Sequence, residues 1–284
     1  MPYMRITYLS DWAGRKDVGV YYPQEAPSAY VDHTPIGTQK DVQKPLPRGG
    51  KYQMLWLIHD EGGNFTDWPL RADIERLCEE YRLFVVMPTV QDFVTGLIEL
   101  GDFYQMVALE LPELMNNLFP VSPAREDNFL VGCGFGGYFA YRIAMNYPHR
   151  YRAAASFSGL LDVVSAVQDR HAGQDGFYPP EEMLGTEKDI LHMARQNQGC
   201  EKKPALYGYC GDNDFSRSYG KPVHDALKAL GYDAAWKDLP GAYGYALWKQ
   251  ALEDFLSHLP LAKAPVFPDP SIVLPKGGKP FYAD

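Results

Sequence analysis

Short apolar runs alternate with helical patterns along most of the chain beyond residue 50. The apolar runs predict buried strands at 54–58, 83–87, 129–133, 153–157, 205–210 and 234–239. Between them, apolar side chains recur every three or four residues, which predicts helices over 68–81, 102–118, 139–147, 222–230 and 248–255. Because buried strands that alternate with helices form mostly parallel sheets covered on both faces, the pattern predicts the α/β fold class.

The beginning of the chain departs from this alternation. Residues 5–9 and 18–22 flank Ala13-Gly14-Arg15, which predicts an opening hairpin. Residues 23–50 are rich in Pro, Gly and polar residues, and this composition indicates a long surface loop.

Two later stretches also break the alternation. The polar stretch 159–198, which contains Tyr178-Pro-Pro180, has the character of a lid-like insertion. Beyond Pro260 the chain becomes Pro-rich and predicts an extended tail. We therefore expect a single domain over residues 1–260 and a tail over residues 261–284.

Composition narrows the classes of function. The 284 residues are 46% hydrophobic and 22% charged, as in globular proteins with a substantial core. The formal charge is -9 and Lys and Arg form no cluster, so no nucleic-acid partner is expected. No apolar run approaches the roughly 18 residues that span a bilayer, and the first residues lack the apolar core of a signal peptide. These features predict a cytoplasmic protein with no membrane association.

The cysteines and histidines indicate no metal or cofactor. The four cysteines form no C-x-x-C pair and no zinc spacing, so we expect buried free thiols at Cys78, Cys133, Cys200 and Cys210. The histidines show no H-E-x-x-H spacing or comparable ligand cluster. No metal site and no cofactor are therefore expected.

The glycine-rich turn Gly132-Cys-Gly-Phe-Gly-Gly-Tyr138 joins a predicted strand to a predicted helix. A G-x-G-x-x-G loop would bind dinucleotide phosphates, whereas a G-x-S-x-G elbow would present a nucleophilic serine. Dinucleotide binding needs an acid about 20 residues on, at the end of the next strand. That strand ends at Ser158-Gly159 and the nearest acid, Asp162, lies beyond it, so the elbow is the favoured interpretation.

Segments around this turn resemble the tributyrin esterase and esterase D-like branch of the α/β-hydrolases. Leu57-Ile-His-Asp-Glu-Gly-Gly-Asn64 resembles a strand that leads into an H-G-x-G-G-N oxyanion loop. Leu111-Pro112 resembles part of the family's E-L-P helix, and Gly132–Tyr138 resembles its G-x-S-M-G-G-Y elbow. Ala155-Ser-Phe-Ser-Gly159 is similar to the strand after the elbow.

The resemblance continues to residue 260. Cys210-Gly-Asp-Asn-Asp-Phe215 resembles the C-G-x-x-D-F turn that carries the acid of the catalytic triad. Pro240-Gly-Ala-Tyr-Gly-Tyr245 stands where the family has G-x-H-x-W. The resemblance implies an α/β-hydrolase fold, with relatives among S-formylglutathione hydrolases and feruloyl and acetyl esterases.

The triad that the resemblance implies is incomplete in this sequence. The nucleophile position is Gly134, which has no side chain to form an acyl-enzyme. The base position is Tyr243, whose phenol has an ordinary pKa of about 10 and is a poor proton acceptor near neutral pH. Asp214 stands at the triad-acid position. These departures predict a degenerate triad and the loss of serine-esterase activity.

The oxyanion loop departs from the family as well. Asp60 and Glu61 replace neutral residues, so carboxylates are expected where an oxyanion hole should stabilise negative charge. Glycine at position 134 also relieves backbone strain of about 1–3 kcal/mol once a serine is not needed. The departures at position 134, at position 243 and in the oxyanion loop occur together. They favour a natural loss of activity over a deliberate inactivation by one substitution.

Two alternatives keep the chain catalytic. Cys133 could supply a thiolate, although its place at the end of a strand points it into the core. His171 or His192 could act as a displaced base in a carboxylic-ester hydrolase that uses water as the nucleophile.

Without catalysis, the resemblance implies a remnant cleft. Tyr243, Tyr245, Trp68 and Phe135 are expected to line it, with Glu61 and Asp214 nearby. Such a site suits a sugar or other polyol, or a cationic ligand. In a second interpretation the rings only fill the space that the triad left. A third gives the chain a structural role in which the tail and the 23–50 loop build a homo-oligomer.

Overall fold

The structure is a computed structural model that describes residues 3–23, 51–93, 102–170 and 180–261. Within those ranges one sheet has the strand order β1-β2-β4-β3-β5-β6-β7-β8. Its strands are β1 Tyr3–Ser10, β2 Gly14–Tyr21, β3 Gln53–Ile58, β4 Leu83–Pro88, β5 Asn128–Cys133, β6 Ala153–Phe157, β7 Ala205–Gly211 and β8 Ala234–Leu239.

The sheet is mostly parallel. β1 and β2 form the antiparallel hairpin expected from the sequence, and β2 joins β4 in antiparallel orientation. From β4 through β3 to β8 every pair is parallel, with Trp56 of β3 opposite Val86 on one side and Leu130 on the other. Because the six parallel strands run the same way, their carboxyl ends form one edge of the sheet. The turns that follow β3, β5, β6, β7 and β8 at this edge build the site described below.

Helices cover both faces of this sheet, which explains why the central strands are apolar on both sides. α1, α2 and α9 pack on one face, and α3 to α8 pack on the other. Their bounds are α1 Asp67–Arg71, α2 Ile74–Tyr81, α3 Phe103–Gln105, α4 Leu111–Leu118, α5 Phe135–Asn146, α6 Val163–Arg170, α7 Ile190–Gln196, α8 Arg217–Ala229 and α9 Tyr245–His258. The predicted α/β class is confirmed.

The single helix predicted over 68–81 was wrong, because the chain breaks it into α1 and α2. Ala72 is extended between them, with φ -132 and ψ 156. In a continuous helix Trp68 and Ile74 would lie about 120° apart around the axis. The break lets both side chains enter the same core, where Trp68 is 0% and Ile74 is 2% exposed.

Two other helices differ in detail from their predicted forms. The helix expected over 102–118 contains a π-helical turn at Met106–Glu110 between α3 and α4. The helix predicted to open at Pro222 begins earlier, at Arg217, directly after the turn in which Asp214 accepts the Ser216 N–H at 2.9 Å. Gly231, with φ 81, follows the end of α8 as expected.

The predicted lid-like stretch 159–198 carries α6, a 3-10 turn at Pro180–Met183 and α7 in the ranges that the structure describes. Apart from Pro23 and Leu261, the loop predicted over 23–50 and the tail predicted over 261–284 lie outside the described residues. Among the helices that are described, none is both long and apolar enough to cross a bilayer.

Candidate functional site

The turn between β5 and α5 has the backbone of a nucleophile elbow. Gly134 at its apex has φ 56 and ψ -124, a conformation that L side chains rarely adopt. Its N–H donates to Phe157 O at 3.0 Å, and its carbonyl accepts the Leu160 N–H at 3.2 Å. A Cβ at Gly132 would collide with the Gly136 backbone, so the turn packs too tightly for side chains there. The sharp strand-to-helix frame is therefore complete without a serine.

The space for a side chain at position 134 is already filled. A Cβ built on Gly134 would lie closer than 3.0 Å to both the Asp60 carboxylate and the Tyr243 hydroxyl. Real Cβ atoms essentially never make such approaches. A serine could stand at the apex only after Asp60 and Tyr243 had moved.

The Asp60 carboxylate occupies the mouth of the elbow. Its Oδ1 accepts the Phe135 N–H at 3.0 Å, and its Oδ2 accepts a short hydrogen bond from the Tyr243 hydroxyl. In a working elbow, the N–H after the nucleophile is a donor of the oxyanion hole. It also lies at the amino end of α5, where the helix dipole favours negative charge. The Asp60 carboxylate thus occupies the place beside the Phe135 N–H that the negatively charged oxygen of a substrate would take.

A buried histidine fixes the loop that carries Asp60. His59 Nε2 accepts the Val90 N–H at 2.9 Å, so its Nδ1 carries the proton and donates to the Asp60 carbonyl at 2.5 Å. Burial lowers the pKa of His59, which keeps the ring neutral. The neutral His59 ring therefore holds the loop in place through these two hydrogen bonds.

Tyr243 follows β8 and packs among aromatic rings. Its ring centroid lies 4.8 Å from that of Phe215 and 5.0 Å from that of Trp248. Burial raises the pKa of Tyr243 well above its ordinary value, and the Asp60 charge raises it further. The phenol therefore stays protonated and donates its hydrogen bond, which is the opposite of what a general base must do.

Asp214, in the turn after β7, is bound by serines. Its Oδ2 accepts the Ser158 hydroxyl at 2.6 Å, and its Oδ1 accepts the hydroxyl and the N–H of Ser216 at 2.7 and 2.9 Å. Trp248 Nε1 donates to Ser158 Oγ at 2.8 Å. In a triad this carboxylate would orient a histidine. Here it links the turn after β7 to the residue after β6, and through Ser158 to α9.

A cavity of about 440 Å³ opens beside the elbow. Four of the predicted site residues reach it, namely Asp60, Glu61, Phe135 and Tyr243. Its other described lining residues were not predicted as site residues: Leu160, Ala166, Asp169, Phe215 and Tyr219. The positions of Phe215 and Tyr219, one and five residues after Asp214 at the carboxyl edge, were the signal that could have identified them.

The expectation that Trp68 and Tyr245 line the cleft was wrong. Trp68 is fully buried and meets the edge of the Tyr245 ring at 5.3 Å, within the core between the sheet and α9. The reason is the helix break at Ala72, which turns Trp68 inward.

Cys133 and His192, two of the residues proposed for alternative catalysis, are not among the described residues of the cavity lining. Cys133 is fully buried, and burial raises the pKa of its thiol well above the ordinary value, so no thiolate is available. His192 lies on α7, and the described cavity lining includes no histidine. His171 lies outside the described residues. The described part of the chain also contains no group of three His, Cys, Asp or Glu side chains that could hold a metal ion.

An elbow at the carboxyl edge of such a sheet defines the class of protein as an α/β-hydrolase. A family model described as "Putative esterase" matches residues 36–205, and the chain belongs to that family. The expected esterase D-like resemblance is confirmed by this match and by the relatives below.

Named relatives in sequence are ester and thioester hydrolases. The chain is 25% identical to an acetyl esterase of Caldicellulosiruptor saccharolyticus over 235 residues, which are 78% of this chain and 86% of the relative. It is 28% identical to the S-formylglutathione hydrolase of Paracoccus denitrificans strain Pd 1222 over 139 residues, 41% of this chain and 49% of that protein.

Solved structures share the fold. FphF, a fluorophosphonate-binding serine hydrolase of Staphylococcus aureus, aligns with a TM-score of 0.73 and 24% identity over 90% of this chain and 97% of that chain. A ferulic acid esterase of Anaeromyces mucronatus, solved with ferulic acid, aligns with a TM-score of 0.63 and 15% identity over 91% of this chain and 90% of that chain. At these identities the likeness establishes the fold alone.

Proposed function

We propose that this member of the esterase family does not hydrolyse esters through a Ser-His-Asp triad and instead binds a small molecule in the cavity beside the elbow. The position of Asp60 carries the proposal. Its carboxylate accepts the Phe135 N–H and, with the Tyr243 hydroxyl, fills the volume into which a side chain at position 134 would project.

Two members of the triad and one donor of the oxyanion hole are affected. Removing a catalytic serine or histidine from such a site lowers kcat on the order of 10⁶-fold, and removing one oxyanion-hole donor lowers it about 10²–10³-fold. Here glycine replaces the serine and a protonated phenol replaces the histidine. The Asp60 carboxylate accepts the hydrogen bond of the Phe135 N–H, which would be a donor of the oxyanion hole. A substrate carbonyl oxygen brought to the Phe135 N–H would meet this carboxylate.

The remaining cavity supports a binding role. Its volume of about 440 Å³ lies within the range of sites that hold small ligands. This volume beside the elbow is space that the rings do not fill, and it supports ligand binding over the interpretation that they only replace the triad. Phe215 supports the same conclusion because 62% of this large apolar side chain remains exposed at the cavity.

An ester-hydrolysis assay tests the proposal. The substrates are short-chain p-nitrophenyl esters, beginning with the acetate because one relative is an acetyl esterase. We expect rates equal to those of buffer and no labelling by a fluorophosphonate probe.

Turnover that copurifies with the chain and falls in Asp214→Asn, His171→Ala or His192→Ala would contradict the proposal. That result would instead support an ester hydrolase with a displaced catalytic set.

A further inference from the structure

The chemistry of the cavity selects among the ligand classes that such a cleft could take. We propose that the cavity accepts an organic cation of the quaternary ammonium class, an inference that rests on the proposed binding function. Its described lining contains three carboxylic acids and no basic side chain, together with four aromatic rings: Asp60, Glu61, Asp169, Phe135, Phe215, Tyr219 and Tyr243.

The charge of the lining favours a cation over an anion. Carboxylates that line the walls of a cleft concentrate negative potential in it and attract positive ligands. A carboxylate or phosphate ligand would be repelled by the same groups. The overall formal charge of -9 adds a long-range component of the same sign.

The hydrogen bonds of the acids favour a cation without N–H groups. Asp169 Oδ2 accepts the Tyr219 hydroxyl at 2.6 Å, and Asp60 accepts both the Tyr243 hydroxyl and the Phe135 N–H. These acids therefore contribute charge while protein donors already engage oxygens on each. A sugar or a primary amine would have to compete for them, whereas a trimethylammonium group needs charge and contact alone.

The aromatic rings supply that contact. Phe215 stacks on Tyr243 with a centroid distance of 4.8 Å and an interplanar angle of 31°, and Phe215 itself is largely exposed. The faces of such rings attract cations. Leu160 and Ala166 add apolar surface against which methyl groups can pack. This combination suits a cation whose surface is itself made of methyl groups.

Choline and its neutral isostere 3,3-dimethylbutan-1-ol test the inference, because they share a shape and differ in charge. Binding is measured by calorimetry or ligand-observed NMR, with glucose as the polyol probe. We expect choline to bind at least about 10-fold more tightly than the isostere, and its affinity to fall with added salt.

Two cavity variants locate the site. Phe215→Ala and Asp169→Asn should each weaken choline binding about 5-fold. The matched controls Trp12→Ala and Glu201→Gln remove an exposed aromatic ring and an exposed acid outside the cavity, and should leave the affinity unchanged.

The outcomes separate this inference from the proposed function. Equal affinity for choline and the isostere, tighter binding of glucose, or no binding of any probe would overturn the cation inference. An equal effect of control and cavity variants would also overturn it. Only ester turnover in the preceding assay would overturn the non-catalytic role, whatever choline does.

Discussion

The turn after β5 and the turn after β7 lie at the same edge of the sheet, and the resemblance in sequence places a catalytic position in each. At the first, Gly134 has no side chain, and the space around it holds Asp60 and Tyr243. At the second, Asp214 keeps its carboxylate, which is bound by Ser158 and Ser216. A side chain at position 214 stabilises the fold whether or not a reaction takes place, because it accepts hydrogen bonds from Ser158 and Ser216. A nucleophile at position 134 would contact only the substrate, so it has no such second role.

Backbone strain shows the same contrast. Gly134 and Ser158 both have positive φ, 56° and 49°. Such a conformation costs a non-glycine residue about 1–3 kcal/mol. Ser158 offsets this cost because its hydroxyl donates to Asp214 and accepts from Trp248. Position 134 has no comparable bonds to gain, so glycine is the residue that fits it.

Restoring the triad should give the largest effect. In the combined variant Asp60→Gly, Gly134→Ser, Tyr243→His, we expect p-nitrophenyl acetate hydrolysis to rise on the order of 10²-fold over the parent chain. The single variant Gly134→Ser should gain nothing, because Asp60 and Tyr243 occupy the serine's space. Equal activity of the single and combined variants would show that the elbow is not blocked.

Asp214→Ala tests the structural role of the second turn. Removing the carboxylate leaves the buried hydroxyls of Ser158 and Ser216 without their acceptor, and we expect a loss of about 4 kcal/mol in the free energy of unfolding. Urea denaturation measures it. The control is Asp212→Ala in the same turn, where an exposed carboxylate accepts the Gly241 N–H. A loss no greater than the control's would mean that Asp214 is structurally dispensable.

Acid should destabilise the fold through two buried neutral histidines, His59 in the loop after β3 and His224 on α8. Burial lowers the pKa of His59, on the elbow side, and lowers that of His224, packed against β7, to about 4. The unfolded chain has a histidine pKa of about 6.5. A depressed folded pKa gives stability that is present above pH 6.5 and lost as pH falls towards 4, about 3 kcal/mol for His224.

Urea denaturation across that pH range checks this prediction. His224→Gln should flatten the slope of stability against pH, and His192→Gln, a half-buried histidine on α7, should leave it unchanged. The slope is the measured quantity, so a uniform loss of stability in the variant does not obscure the result. Identical slopes in His224→Gln and the parent chain would exclude His224 as the source.

Gly134→Ala should give the smallest effect, about 2 kcal/mol, from strained backbone and contact with Asp60 and Tyr243. Gly185→Ala separates the two causes. Gly185 also has a positive φ, 71°, but a Cβ there meets nothing within 4 Å. Thermal unfolding of both variants measures the difference. If they lose equal stability, strain alone accounts for the effect and the space at position 134 is open.

Local requirements made much of the fold predictable from sequence. The elbow frame is fixed by glycines that permit a sharp turn, and strands buried on both faces show as apolar runs. The break at Ala72 was not predictable in this way, because the apolar periodicity of 68–81 fits a helix. Only packing of Trp68 and Ile74 into one core decides it.

The positions of the site residues could be predicted from the sequence, but the contacts between their side chains could not. The sequence indicated carboxylates in the oxyanion loop, but the hydrogen bond from Phe135 to Asp60 joins residues 75 positions apart and depends on the tertiary fold. Asp169 and Tyr219 come from α6 and α8, and 50 positions separate them. No local pattern marks such a pair.

The hydrogen bonds of Asp60 also bear on reversibility. Serine at position 134 collides while Asp60 and Tyr243 remain, and histidine at position 243 has no nucleophile to activate while glycine remains. Loss of Asp60 alone frees the Phe135 N–H but supplies neither a serine nor a histidine. Under the proposed loss of activity, no single substitution restores a triad, and several must occur together.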